Sequence, residues 1–336
     1  MDRKVALLTI LASLFAPYCV AQATKVPGAL AVDKLQALSR VTPFLPSGTD
    51  PPLIIEKEVP IDTATIASRS VVLKSGSRLL LRASMEVTQI IADELTVEGP
   101  ATIAWAPIVP PDLEPPARGK AANGAPGRGA GASGTAGADG EPGNPGFAGQ
   151  SAPSLEIYVR TANFKPGARL RIELKGLNGG KGGRGQDGGD GGVGARGTPA
   201  SSSFFDCKRG PGRGGDGGKG GNGGTGGRGG RGGDGGDVTV FSSDPAITEM
   251  IVVAAEGGAP GGGGDKGLHG VGGEGGPEGQ LAPPFCTSAN RSGAKAPDGT
   301  DGSKGVDGLA GTLGRFALVQ ISESQWIATL APAKWQ

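Results

Sequence analysis

Eight glycines at an unbroken spacing of three run from Gly176 to Gly197, and no other feature limits the fold of this chain so severely. The same phase holds from Gly214 to Gly235, from Gly258 to Gly279, and from Gly293 to Gly314 with Ala296 as the exception. A looser version with seven strict glycines spans Gly131 to Gly149. A period of three matches neither the 3.6 of a helix nor the 2.0 of a strand. It matches the three-residue turn of polyproline II, in which one edge recurs every third residue and can press against a neighbour only if bare. The tracts therefore read as rods packed side by side.

With 66 glycines and 27 prolines among 336 residues, an aperiodic chain would read as disorder; the strict phase argues against that. Lysine and arginine number 33 against 32 aspartates and glutamates, so the charge signature of a nucleic-acid or anionic-membrane partner is absent. Arg3 and Lys4, the apolar run Val5 to Phe15, and Ala21-Gln22-Ala23 compose a secretory signal peptide with cleavage expected after Ala23. No segment approaches the 18 apolar residues of a membrane-spanning helix. Cys207 and Cys286 are then the two cysteines of the mature chain, and in an exported protein a lone pair is most simply a disulfide.

The expected organisation is a signal peptide over 1–23, a leader over 24–52 with a short helix at Ala29–Ser39, and a β region over 53–108. Glycine-rich hairpins interleaved with strand pairs (155–175 and 238–255) follow over 109–314, and C-terminal strands occupy 315–336. Strand signals lie at Thr63–Ile66, Val71–Leu73, Arg78–Leu81, Val87–Ile91, Leu95–Val97 and Thr102–Trp105. Such short, evenly spaced strands suit a β-solenoid or a sandwich. The fold class is thus mostly β and irregular: a short-strand β base carrying about six polyproline-II-type rods. If the strands form one β unit, each glycine segment must leave it and return as a hairpin of rods roughly 70 Å long. Ser201–Arg209 and Leu281–Arg291 become the far turns, and their equal distance from the base brings Cys207 to Cys286. Pro110–Gln150 is a third, shorter hairpin.

From Arg213 to Gly236 the chain reads X-Gly-Gly eight times without proline, leaving two bare edges per rod, which suits a bundle within one chain better than a three-stranded rope. These tracts, with their cysteine-bearing turns, resemble the polyglycine II helix bundles of some phage tail-tip adhesins and of springtail antifreeze protein, over residues 119 to 314. In composition they are similar to collagen-like secreted bacterial proteins. The phage likeness implies that tip loops contact a receptor, and Phe204, Phe205 and Phe285 are the candidate contacts; the blander expectation is an apolar cap sealing the rod ends. The springtail likeness would imply ice binding, but the X positions here are largely Arg, Asp and Lys.

Catalysis has little support. His269 sits inside a glycine tract, Asp187 and Asp190 are expected to face solvent, and Gly182–Asp187 matches only the start of a calcium nonapeptide. No catalytic residue, metal ligand or cofactor is expected. The function that follows is a secreted, non-enzymatic structural or adhesive protein at a cell surface or in extracellular matrix. Its candidate partner is a cell-surface glycan or protein; its oligomeric state stays open, with a monomer favoured. The alternatives are a collagen-like homotrimeric fibre and a carbohydrate-active β-solenoid with glycine inserts, the latter needing more clustered acid than Asp93, Glu94 and Glu98 supply.

Overall fold

A computed structural model describes residues 24–25, 51–108, 115–288, 290–324 and 326. The signal peptide, the Ala29–Ser39 helix and the strand expected beyond Trp326 lie outside the described residues. The chain is mostly β. Its strands are β1 (Thr24–Lys25), β2 (Leu53–Ile55), β3 (Glu58–Ile61), β4 (Thr65–Leu73), β5 (Arg78–Arg82), β6 (Val87–Val97) and β7 (Pro100–Ala106). After them come β8 (Ser154–Phe164), β9 (Arg169–Glu173), β10 (Ser201–Ser202), β11 (Cys207–Arg209), β12 (Val238–Ser242), β13 (Ile251–Ala254) and β14 (Phe316–Gln320).

Two parallel sheets hold all of these but β10 and β11. One runs β1-β14-β12-β8-β6-β4-β2 and the other β13-β9-β7-β5-β3. From β2 to β9, and again from β12 to β14, successive strands alternate between the sheets, each pairing with the strand one coil before it, so that β12 follows β8 and β13 follows β9. That is a solenoid, and it decides between the two β bases the sequence leaves open. One coil takes 24 residues, the separation of Thr65 and Gln89. Its interior is one apolar column that includes Leu81, Ile103, Leu155, Leu170, Val240 and Val253. Parallel sheets closed on both faces read as near-continuous apolar runs for this reason.

The long strands bend. In β6 the inward residues are Ile90 and Ala92, then Leu95 and Val97; in β8 they are Leu155, Ile157 and Val159, then Ala162 and Phe164. The inward phase therefore flips at Asp93 and at Arg160. Asp93 and Arg160 stack at this corner, with Arg160 Nε 2.7 Å from Asp93 Oδ1. The separate segments Val87–Ile91 and Leu95–Val97 are thus two sides of one coil, joined in a single strand whose pairing skips only the corner at Asp93. The segment Ile247–Ala254 departs from expectation, because Pro245–Met250 forms a short 3-10 helix and only Ile251–Ala254 is strand. Asp244 accepts the Ala246 N–H at 2.9 Å and so starts that turn. The expected strand pairs are also corrected: β8 and β9 lie in different sheets and pair with neighbouring coils instead of each other.

Later coils are much longer than 24 residues, and every insertion falls at the same corner. The chain leaves β7, β9 and β13 and returns at β8, β12 and β14. The outgoing legs are 119–129, 176–198 and 257–279 (legs 1, 3 and 5). The returning legs are 131–150, 212–236 and 291–314 (legs 2, 4 and 6). Since β7-β9-β13 and β8-β12-β14 are neighbours in their sheets, the legs inherit two rows in the same order.

Candidate functional site

From β8 and β12 backbone hydrogen bonds run into legs 2 and 4 without a break. Leu155 N–H donates to Asp237 O at 2.8 Å, Ala152 to Asp234 at 3.0 Å, Gly149 to Arg231 at 2.7 Å, and so on every third residue to Gly134 and Asp216. Within a row the pairing is parallel: leg 1 donates to leg 3, leg 3 to leg 5, leg 2 to leg 4, and leg 4 to leg 6. Between rows it is antiparallel, as when Gly221 N–H reaches Gly189 O at 2.8 Å. Glycine is required here for close approach. A Cβ on Gly217 would stand 1.8 Å from the Gly273 oxygen of leg 5, and one on Gly218 would stand 1.9 Å from the Thr135 oxygen of leg 2. Glycine is densest in leg 4 and sparse in the legs at the ends of its row. Leg 4 touches four legs and carries Gly-Gly-X throughout, whereas legs 2 and 6 end their row and carry one glycine per triplet.

A second set of bonds comes from side chains. Asp187 Oδ1 accepts the Leu268 N–H at 2.7 Å, and Asp190 Oδ1 accepts that of Val271 at 2.9 Å. On the other row Asp216 accepts from Ala294 at 2.7 Å and Asn222 from Thr300 at 3.0 Å. Asp187 and Asp190, expected merely to face solvent, are therefore backbone acceptors. The Lys120 ammonium, 2.7 Å from Asp190, holds that carboxyl below its ordinary range, helped by the Val271 bond. Asp187 also receives Arg184 at 2.7 Å, so the calcium-like stretch has no spare carboxylate. His269 Nδ1 lies 2.6 Å from Asp301 Oδ1.

All three hairpins turn at similar height. Legs 1 and 2 are joined through Gly129 (φ 98°) and Gly131 (φ 76°), a left-handed backbone that glycine adopts freely. Gly131 N–H still reaches Arg196 O at 2.8 Å, so the first hairpin turns just before the end of leg 3, below the Ser201–Arg209 turn of the second. At the second turn β10 and β11 form a small antiparallel hairpin. Ser203 N–H donates to Asp206 O at 2.7 Å and Asp206 Oδ1 accepts the Cys207 N–H at 2.7 Å, which pushes the two central residues outward. These are Phe204 and Phe205, 90% and 88% exposed, with ring centroids 6.0 Å apart. At the third turn Ala282 and Cys286 exchange backbone bonds and leave Phe285 44% exposed. Cys207 and Cys286 are joined, with Cα atoms 5.1 Å apart. The aromatic cap fails as a description of Phe204 and Phe205, since rings this exposed seal nothing.

The acidic residues weighed for a solenoid site, Asp93, Glu94 and Glu98, do not converge on an open cluster. Glu98 lies 2.8 Å from Lys74 and 2.9 Å from Lys165, and these bonds lower its carboxyl, Lys74 contributing most. Arg160 neutralises Asp93, and Glu94 sits exposed beside Thr96. No group of three or more His, Cys, Asp or Glu side chains that could hold a metal occurs among the described residues. No helix among them is long and apolar enough to cross a membrane.

No protein-family model matches the chain, and no curated protein does. Among solved structures it is similar in sequence to the nine-helix polyproline type II springtail antifreeze protein of Granisotoma rainieri. Identity is 22% over 54% of this chain and 93% of that one, with a TM-score of 0.08. A score that low carries no argument about fold. The expected kinship with polyglycine II bundle proteins, and with collagen-like secreted proteins, is accordingly corrected. The regular secondary structure is mostly parallel sheet with almost no helix.

Proposed function

We propose that this is an exported structural or adhesive protein. Its β-solenoid holds out the six glycine legs as stiff polyproline-II-type rods, at a cell surface or in extracellular matrix. The far end then serves as a contact for a surface glycan or protein. The observation that carries this reading is the exposure of Phe204 and Phe205 on a hairpin bonded to the neighbouring turn through Cys207 and Cys286. Two large rings held in water by a fixed loop, with no interior to enter, match the aromatic anchors that dominate binding interfaces. Export rests on the signal peptide ending at Ala23. Lateral pairing of glycines within one chain weighs against the collagen-like trimer, and the paired carboxylates weigh against a carbohydrate-active solenoid.

The deciding experiment applies labelled protein to intact cells and to immobilised glycans. A Phe204→Ala/Phe205→Ala variant should lose binding at least tenfold while melting at the wild-type temperature. Undiminished binding would remove the adhesive reading.

A further inference from the structure

Each row of legs follows one donor rule, and the rule has to end somewhere. In leg 3 every third N–H donates along the row, Gly182 to Gly262 O at 2.9 Å and Gly191 to Val271 O at 2.8 Å. Leg 5 is last in that row. The register set at the base, where Leu170 faces Ile251, carries the Gly182, Gly188 and Gly191 positions to Gly263, His269 and Gly272. Their N–H groups point to where a further leg would stand. A row of open backbone donors is a template for pairing with another chain.

These three donors are met by side chains, whereas Gly257, Lys266 and Gly275 in the same phase show no such partner among the described residues. Asp307 Oδ1 of leg 6 accepts from Gly263 at 2.7 Å, Asp301 Oδ1 from His269 at 3.1 Å, and Asp298 Oδ1 from Gly272 at 2.7 Å. At a further position in the same phase stands Pro260, which has no N–H. The three aspartates each stand third in a triplet of leg 6, so their spacing is that of the donors they meet. At the other contacts between legs, such as Asp187 with Leu268 and Asn222 with Thr300, the side chain bonds a leg already paired in its row; here it takes the place of a missing leg.

We infer that Asp298, Asp301 and Asp307 form an edge cap that stops a second copy of this chain from extending the row of legs 1, 3 and 5. The excluded occupant is defined by the ladder itself. Leg 1 is the opposite end of the same row. The Asn123 side chain bonds Asp190 N–H, which aligns Lys120 and Asn123 of leg 1 with Asp187 and Asp190 of leg 3. The Asp187 and Asp190 carbonyls accept the N–H groups of leg 1, so the Lys120 and Asn123 carbonyls are the matching acceptors on the far edge. Donor edge against acceptor edge is a head-to-tail contact that need not close, and uncapped it yields fibres.

The test compares wild type with Asp298→Ala/Asp301→Ala/Asp307→Ala and with the corresponding triple Asn variant, which keeps an acceptor oxygen at each site. Sedimentation velocity over a hundredfold concentration range should show wild type and the Asn variant as one species. The Ala variant should give heavier species that grow with concentration. A folded Ala variant that stays monomeric overturns the proposal, as does an Asn variant that associates equally, since charge alone would then keep copies apart. Hydrogen exchange on the wild type decides if the Ala variant fails to fold. The Gly263, His269 and Gly272 amides should be protected like ladder amides, and exchange at the rate of open amides overturns the cap.

Discussion

Gly191 and Gly218 lie so close across legs 3 and 4 that a Cβ on Gly191 would stand 1.8 Å from the Gly218 carbonyl oxygen. A backbone oxygen held on both sides by the ladder cannot step aside, so Gly191→Ala must push two legs apart. Overpacking of this kind costs about 1–3 kcal/mol or more. Gly262, in the neighbouring leg, has nothing within 4 Å of its Cβ position and no left-handed φ. Gly262→Ala should therefore be neutral or stabilise by up to about 1 kcal/mol, by restricting the unfolded chain. Denaturant melts of the two variants check this. Equal losses would mean that the glycines serve flexibility instead of contact.

Joining Cys207 to Cys286 closes a loop across 79 positions and ties the second hairpin's turn to the third's. Replacing both cysteines with serine should lower stability by about 2–4 kcal/mol. The loss should concentrate at the far end. Hydrogen exchange should rise first at Ala200 and Gly279, while Leu155 and Leu170 in the solenoid stay protected. A uniform rise along the legs would show that the link holds the whole assembly and not the tip alone.

The glycine phase made the legs, their turning points and the cysteine pairing legible, because a contact that excludes Cβ demands glycine wherever it recurs. The rule that doubled glycines mark interior legs was half legible, since the repeat displays bare edges but not which neighbours fill them. The solenoid coil was hidden by its corner. Asp93 and Glu94 break the apolar alternation of β6 and so imitate a loop between two strands. The 3-10 helix at Pro245 was signalled by Asp244-Pro245, an N-cap followed by the residue best suited to a first helical position. Nothing in the sequence marks Asp187 or Asp301 as backbone acceptors. Their partners come from legs about 81 and 32 residues away, and only the register identifies them.

Thr88 is wholly buried in the solenoid, on the inward face of β6, and its hydroxyl has no hydrogen-bond partner. A buried, unpaired hydroxyl costs about 1–3 kcal/mol. Thr88→Val keeps the branched shape favoured in strands and removes that cost, so it should raise stability by about 1 kcal/mol. A Thr88→Val variant melting below wild type would reveal a partner for the hydroxyl.

Acid should weaken the legs before it weakens the solenoid core. Asp301 is held well below the usual carboxylate range, first by its bond to Lys266 and then by those from His269. Lys181 holds Asp265 down in the same way, and Lys120 does so for Asp190. In each case the folded pKa lies below the unfolded value. The contribution is therefore fully present above the unfolded carboxylate range near pH 4, and it is lost as pH falls through the folded values. The melting temperature should stay level from about pH 5 to 8 and fall steadily below about pH 4. These groups are exposed, so added salt should flatten the slope. Asp301→Asn should lower the neutral-pH melting temperature slightly and make the acid limb shallower. A wild-type melting temperature unchanged down to pH 2.5 would show that the pairs between legs contribute nothing to stability, and that backbone bonding alone holds the rows.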